Sequence, residues 1–124
     1  MIIGTGLDIM DVSRVGELLE KPHHRSRIFT AAENEHIDRK GVQSAAGIWA
    51  AKEAVAKALG TGYTRFGPWD IEISWTELGM PVCTLKNGAL ERKQAIGGGR
   101  IHISISHIDE TAAAMAILTD EPES

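Results

Sequence analysis

The chain has 124 residues, 43% of them hydrophobic and 24% charged. This is the balance of one globular domain that buries roughly 65% of its unfolded surface, and it excludes a disordered chain. Its 17 acidic and 13 basic residues leave a net charge of −4, which argues against a general nucleic-acid binder, and no apolar run nears the roughly 18 residues of a membrane span.

Residues 1–9 (MIIGTGLDI) read as a strand in which Gly4 and Gly6 permit close backbone approach and Asp8 lies near the end. They lack the basic start of a signal peptide. Asp11 or Ser13 is placed to cap a short helix through Glu20, interrupted at Lys21-Pro22. Residues 21–27 (KPHHRSR) form a compact basic stretch. Thr30 and Glu33 have capping-box spacing, opening a helix to about Arg39 that Gly41 ends. An Ala-rich helix is predicted over 43–59, with Gly60 at its C′ position. Residues 60–68 read as a loop. Residues 70–75 (DIEISW) alternate as a strand, 78–81 as a turn and 82–85 as a pairing strand. A helix over 87–96 ends at three glycines, and two more strands cover 101–105 and 112–118. The acidic tail, 120–124, is expected to fray. The predicted class is α+β: a single domain over 1–119, with one mostly antiparallel sheet packed with the long Ala-rich helix and shorter helices.

The glycines do not form a phosphate loop. Gly4-Thr5-Gly6 and Gly60-Thr61-Gly62 both begin like G-x-G-x-x-G, but the third position is Ile9 in one and Arg65 in the other. Cys83 is the single cysteine, so no intrachain disulfide or multi-cysteine metal site is possible, and a reduced, cytoplasmic setting fits. It lies in an apolar strand and reads as inert core. Helical spacing puts Trp49, Lys52, Glu53 and Lys57 on one broad face, and Ile48, Ala51, Val55, Ala58 and Leu59 on a core stripe. Glu53 and Lys57 have the spacing of a solvated i, i+4 ion pair. The same two types can hold Mg²⁺ and a phosphate together, the carboxylate as hard ligand and the ammonium as point charge. Asp8 reads as a cap or, with Glu53, as a second oxygen donor to Mg²⁺. Residues 100–107 (RIHISISH) alternate: Ile101, Ile103 and Ile105 on one face, His102, Ser104 and Ser106 on the other. That polar face is either plain surface or an anion-contacting face ending at His107. The histidines lack zinc spacing. Arg14, Lys21, His23, His24, Arg25 and Arg27 concentrate positive charge as a solvated turn or a docking patch for an acidic partner.

Several pieces occur in one order: Gly6-Leu7-Asp8-Ile9, Arg14, Phe29-Thr30-x-x-Glu33, the WAAKEAxxKALG stretch over 49–60, Asp70-Ile-Glu-Ile, Gly79-x-Pro81 and His102-x-Ser-Ile-Ser-His107. Together they resemble holo-acyl-carrier-protein synthase, the short type of 4′-phosphopantetheinyl transferase, over about residues 1–119. The resemblance implies transfer of phosphopantetheine from coenzyme A to a serine of an apo acyl carrier protein, for fatty acid biosynthesis. It places Mg²⁺ on Asp8 and Glu53, and Lys57 against the phosphates. The serine proton would go to Glu53 or to a water near it or Asp8. Gly60 and Thr61 match backbone contacts to coenzyme A. Gly79, Pro81 and His107 match positions reaching the nucleotide from a neighbouring subunit of a homotrimer. Arg14, Lys21, Arg25 and Arg27 match the carrier-docking surface. Two departures stand out. Ile48 replaces an arginine and Met80 a lysine that the family often has near the nucleotide. This implies weaker coenzyme A binding, or replacement contacts from Arg65 or Arg100. Outside the resemblance, the same residues would also serve another Mg²⁺-dependent phosphotransferase, or a coenzyme A- or carrier-binding module without turnover.

Overall fold

A computed structural model describes residues 1–123. The chain runs β1 (Ile2–Asp11), α1 (Val12–Leu19), α2 (Pro22–Ile28), α3 (Ala31–Lys40) and α4 (Val42–Ala58). After a 3₁₀ turn at Pro68–Asp70 come β2 (Ile71–Trp75), β3 (Pro81–Leu85), α5 (Asn87–Ala95), β4 (Ile101–His107) and β5 (Thr111–Thr119).

The helix starts follow their caps. Asp11 accepts from the Ser13 amide at 2.9 Å and opens α1. Thr30 and Glu33 close a reciprocal capping box at α3, with bonds of 3.2 and 2.9 Å. The basic stretch expected as a turn is helix α2, because Pro22 occupies its first turn, where the fixed proline φ favours a helix. Gly60, at φ 82°, ends α4.

Strand pairing is antiparallel throughout, but the single sheet expected from sequence is two. One has the order β1-β5-β4 and the other is the β2-β3 hairpin. Helix α4 lies on the three-stranded sheet. A Cβ at Gly4 would stand 2.0 Å from the Ala58 carbonyl oxygen, and one at Gly6 would stand 1.8 Å from that of Ala54. Only glycine lets β1 approach α4 this closely, and the approach sets Asp8, two residues on, against the helix. Gly6→Ala is therefore expected to cost about 1–3 kcal/mol through overpacking, read by urea denaturation, and to lower activity by displacing Asp8.

The core is built from small residues, with Ala45, Ala46, Ala50, Ala51, Ala54 and Ala58 of α4 all buried. Lys52 is buried too, so the broad face it shares with Trp49, Glu53 and Lys57 is covered at Lys52. The tail also departs from expectation over residues 120–123. The Met1 ammonium bonds Asp120 at 2.6 Å, the Arg100 amide donates to the Glu121 carbonyl at 2.8 Å, and Lys93 pairs with Glu123 at 2.8 Å. The sheet face away from α4 remains open, largely apolar along β1 and β5 and polar along β4, where His102 and Ser104 pair with Ile117 and Met115. There Leu7, Ile9 and Met115 are 63%, 66% and 44% exposed.

Candidate active site

Three sequence-predicted residues meet where β1 crosses α4. Lys57 Nζ donates to the Leu7 carbonyl at 2.8 Å and stands 3.0 Å from Asp8 Oδ1. Asp8 Oδ2 is buried and has no hydrogen-bond partner among the described residues. Glu53 Oε1 accepts from Trp49 Nε1 at 3.1 Å. The solvated Glu53–Lys57 ion pair suggested by their spacing does not form; Lys57 turns instead to a strand nearly fifty positions away in sequence. Nor is Asp8 a helix cap, since Asp11 fills that role.

Burial raises the Glu53 carboxyl above its ordinary range, and the Asp8 charge adds to this, while Lys57 opposes it. A carboxylate whose charge disfavours that of Glu53, and which keeps an unpartnered oxygen, favours a cation beside the two. No group of three or more His, Cys, Asp or Glu forms a metal cluster among the described residues. Two carboxylates suit Mg²⁺, which takes one or two from a protein and fills its shell with phosphate oxygens and water.

Gly79, Pro81 and His107 lie elsewhere. They line a cavity of about 460 Å³ with His36, Lys40 and Ile48, and none of Asp8, Glu53 and Lys57 lines it. The His36 ring stacks on Trp75 at 4.0 Å and 8°. Burial, then the charges of Arg39 and Lys40, hold His36 below its ordinary range. Met80 is 61% exposed and lies outside this cavity. Arg65 and Arg100 do not line it either. Arg65 instead shares a cavity of about 370 Å³ with Thr61 and Arg92. Sequence reading missed Lys40 and His36, which α3 brings to this cavity only through the fold.

The basic cluster divides. Arg14 and Lys21 line a groove of about 400 Å³ with His24, Met10 and Trp49. Arg25 is occupied within the fold, bonding Asn34 and Asp38 at 2.5 Å each. Arg27 is exposed and outside the groove. Burial pushes the Cys83 thiol up to about 12, which removes it as a nucleophile.

The family profile described as the 4′-phosphopantetheinyl transferase superfamily matches residues 4–117. A holo-[acyl-carrier-protein] synthase of Clostridium novyi is 47% identical, over 95% of this chain and 88% of the relative. One of Alkaliphilus metalliredigens is 45% identical, over 96% of this chain and 100% of the relative. Among solved structures, the holo-[acyl-carrier-protein] synthase of Neisseria meningitidis superposes with a TM-score of 0.85 at 32% identity, covering 96% of this chain and 99% of that one. The Bacillus anthracis synthase, solved in complex with coenzyme A (3′,5′-ADP), gives 0.79 at 33% identity, covering 95% and 96%. With its fold and length both matched, the chain belongs to the 4′-phosphopantetheinyl transferase superfamily, among the holo-[acyl-carrier-protein] synthases.

Proposed function

We propose that this chain, acting as one domain over 1–119, transfers the 4′-phosphopantetheine group of coenzyme A to a serine of an apo acyl carrier protein, in fatty acid biosynthesis. The observation that carries this is the meeting of Asp8, Glu53 and Lys57 at the β1–α4 crossing, with Asp8 Oδ2 unpartnered, in a chain of this superfamily.

In the reaction, the serine oxygen bonds to the phosphorus that bears pantetheine. The bond from that phosphorus to the bridging oxygen breaks, releasing adenosine 3′,5′-bisphosphate. Asp8 and Glu53 would hold Mg²⁺, which offsets the charge gathering on the leaving diphosphate oxygen. Glu53, whose raised carboxyl affinity for protons suits a base, or a water beside it or Asp8, takes the serine proton. Lys57, anchored on the Leu7 carbonyl, presents its ammonium to the phosphates as a fixed charge.

A homotrimer with sites between subunits accounts for two features. The cavity of Gly79, Pro81 and His107 shares no lining residue with the Asp8 cluster, and the open sheet face with Leu7, Ile9 and Met115 lacks a cover among the described residues. Gly60 and Thr61, just past Lys57, then meet coenzyme A through the backbone. The groove with Arg14 and Lys21 suits an acidic carrier, with Arg27 at its periphery; Arg25 serves the α2–α3 junction instead. No described helix is long and apolar enough to cross a membrane, and a single free cysteine suits the cytoplasm as the place of action.

Intact-mass spectrometry tests this reading. An apo carrier incubated with the protein, coenzyme A and Mg²⁺ should gain one phosphopantetheine, and lose that gain with EDTA or with Glu53→Ala. Coenzyme A binding without any mass gain would leave a binding module. The cavity with His107 also makes Lys40 the cation nearest at hand for the nucleotide end, in place of the charges absent at Ile48 and Met80. Lys40→Met is expected to raise KM for coenzyme A about threefold to fivefold and to leave KM for 3′-dephospho-coenzyme A unchanged in steady-state assays.

A further inference from the structure

The described residues contain two buried side-chain polar atoms without a hydrogen-bond partner, Asp8 Oδ2 and Tyr63 Oη. The proposed Mg²⁺ site accounts for the first but not for the second. Buried phenol hydroxyls ordinarily find a partner, so one left open asks for an explanation.

Tyr63 sits on the loop that leaves α4 just after Lys57. That loop bends through Gly60 and Gly62, at φ 82° and 60°, a region that favours glycine. Its ring is held edge-on to Phe66, with centroids 5.8 Å apart at 80°, and Phe66 is itself buried in the core. The hydroxyl is therefore placed, not swinging. Burial, followed by the charges of Glu53, Asp8 and Glu33, drives its pKa above the tyrosine range. The phenol thus stays protonated, and a protonated phenol held among carboxylates is a donor in search of an oxygen acceptor. No acceptor within the described residues reaches it. The acceptor that the proposed reaction brings to Asp8 and Glu53 is the diphosphate.

We propose that Tyr63 is a further substrate-binding residue whose hydroxyl donates to a phosphate oxygen of bound coenzyme A. The proposal rests on the transferase reading, and its test separates the two. Tyr63 is the only tyrosine in the chain, so 3-fluorotyrosine labelling gives a single ¹⁹F resonance. Coenzyme A with Mg²⁺ should shift that resonance, and pantetheine, which has no phosphate, should leave it in place. Tyr63→Phe should raise KM for coenzyme A about tenfold, the usual scale of a lost hydrogen bond to a charged group, with kcat little changed. If calorimetry shows coenzyme A binding while the resonance stays still, or if Tyr63→Phe keeps its KM, the hydroxyl has a structural role only and the proposal is overturned. If the wild-type protein binds no coenzyme A, the transferase reading falls and this one falls with it.

Discussion

Glu53→Gln and Asp8→Asn should each lower kcat/KM about 10²–10³-fold, the scale for removing one preorganised charge from a phosphoryl-transfer site. The fold should survive both changes. Asp8 is paired only with Lys57, whose side chain is 54% exposed, and such pairs contribute little to stability. Lys57 also keeps its bond to the Leu7 carbonyl at 2.8 Å, so Asp8→Asn leaves the ammonium anchored. The two carboxylates act as one unit if they share a cation. The double variant should then be little worse than the poorer single one, and each single variant should need more Mg²⁺ for half-maximal rate. Lys57→Ala should behave differently, lowering kcat while leaving the Mg²⁺ requirement near that of the wild type. Carrier-modification rates across a Mg²⁺ series, followed by intact mass, separate these outcomes. Fully additive losses at Asp8 and Glu53, with an unchanged Mg²⁺ requirement, would remove the shared-cation assignment.

What the sequence made legible was local. Asp11, the Thr30–Glu33 box and Gly60 mark helix ends through short-range hydrogen bonds and backbone angles, and the structure places the ends there. The alternation of residues 101–107 likewise gave strand and face together. What stayed hidden depends on partners distant in the chain. Spacing alone joins Glu53 to Lys57, yet Lys57 goes to Asp8 because Gly4 and Gly6 let β1 close onto α4. The division into two sheets follows from long-range register, which no local pattern encodes. The cavity of Gly79, Pro81 and His107 joins α3, α4, the β2–β3 turn and β4, so Lys40 had no visible reason to belong with His107. The burial of Lys52 stayed hidden for the same reason, since only the fold shows that Glu33 faces it.

That buried pair leads to the largest expected change in stability. Lys52 and Glu33 are in direct contact, each with a fully buried side chain. Lys52 Nζ also donates to the carbonyls of Ile28 at 2.6 Å and Pro68 at 3.0 Å, while Glu33 accepts from the amides of Thr30 at 2.9 Å and Ile73 at 2.7 Å. The pair thus ties the α2–α3 junction, α4, the 3₁₀ turn and β2 together, one residue from Glu53. Lys52→Met leaves a buried carboxylate without its cation. It should cost about 3–5 kcal/mol and lower Tm by about 10–20 °C in thermal melts near pH 7. Adding Glu33→Gln should restore part of that loss, because the stranded charge is gone and a neutral acceptor remains. The pH dependence has a definite sign. Burial already raises the Glu33 carboxyl, and losing the attraction of Lys52 raises it further. In Lys52→Met the folded state therefore binds the proton more tightly than the unfolded chain does, so stability falls as pH rises through that interval. The gap between wild type and variant should narrow as melts move to acid pH, where Glu33 is neutral. A gap that stays constant or widens would mean that the loss comes from the two carbonyl bonds and not from the stranded charge.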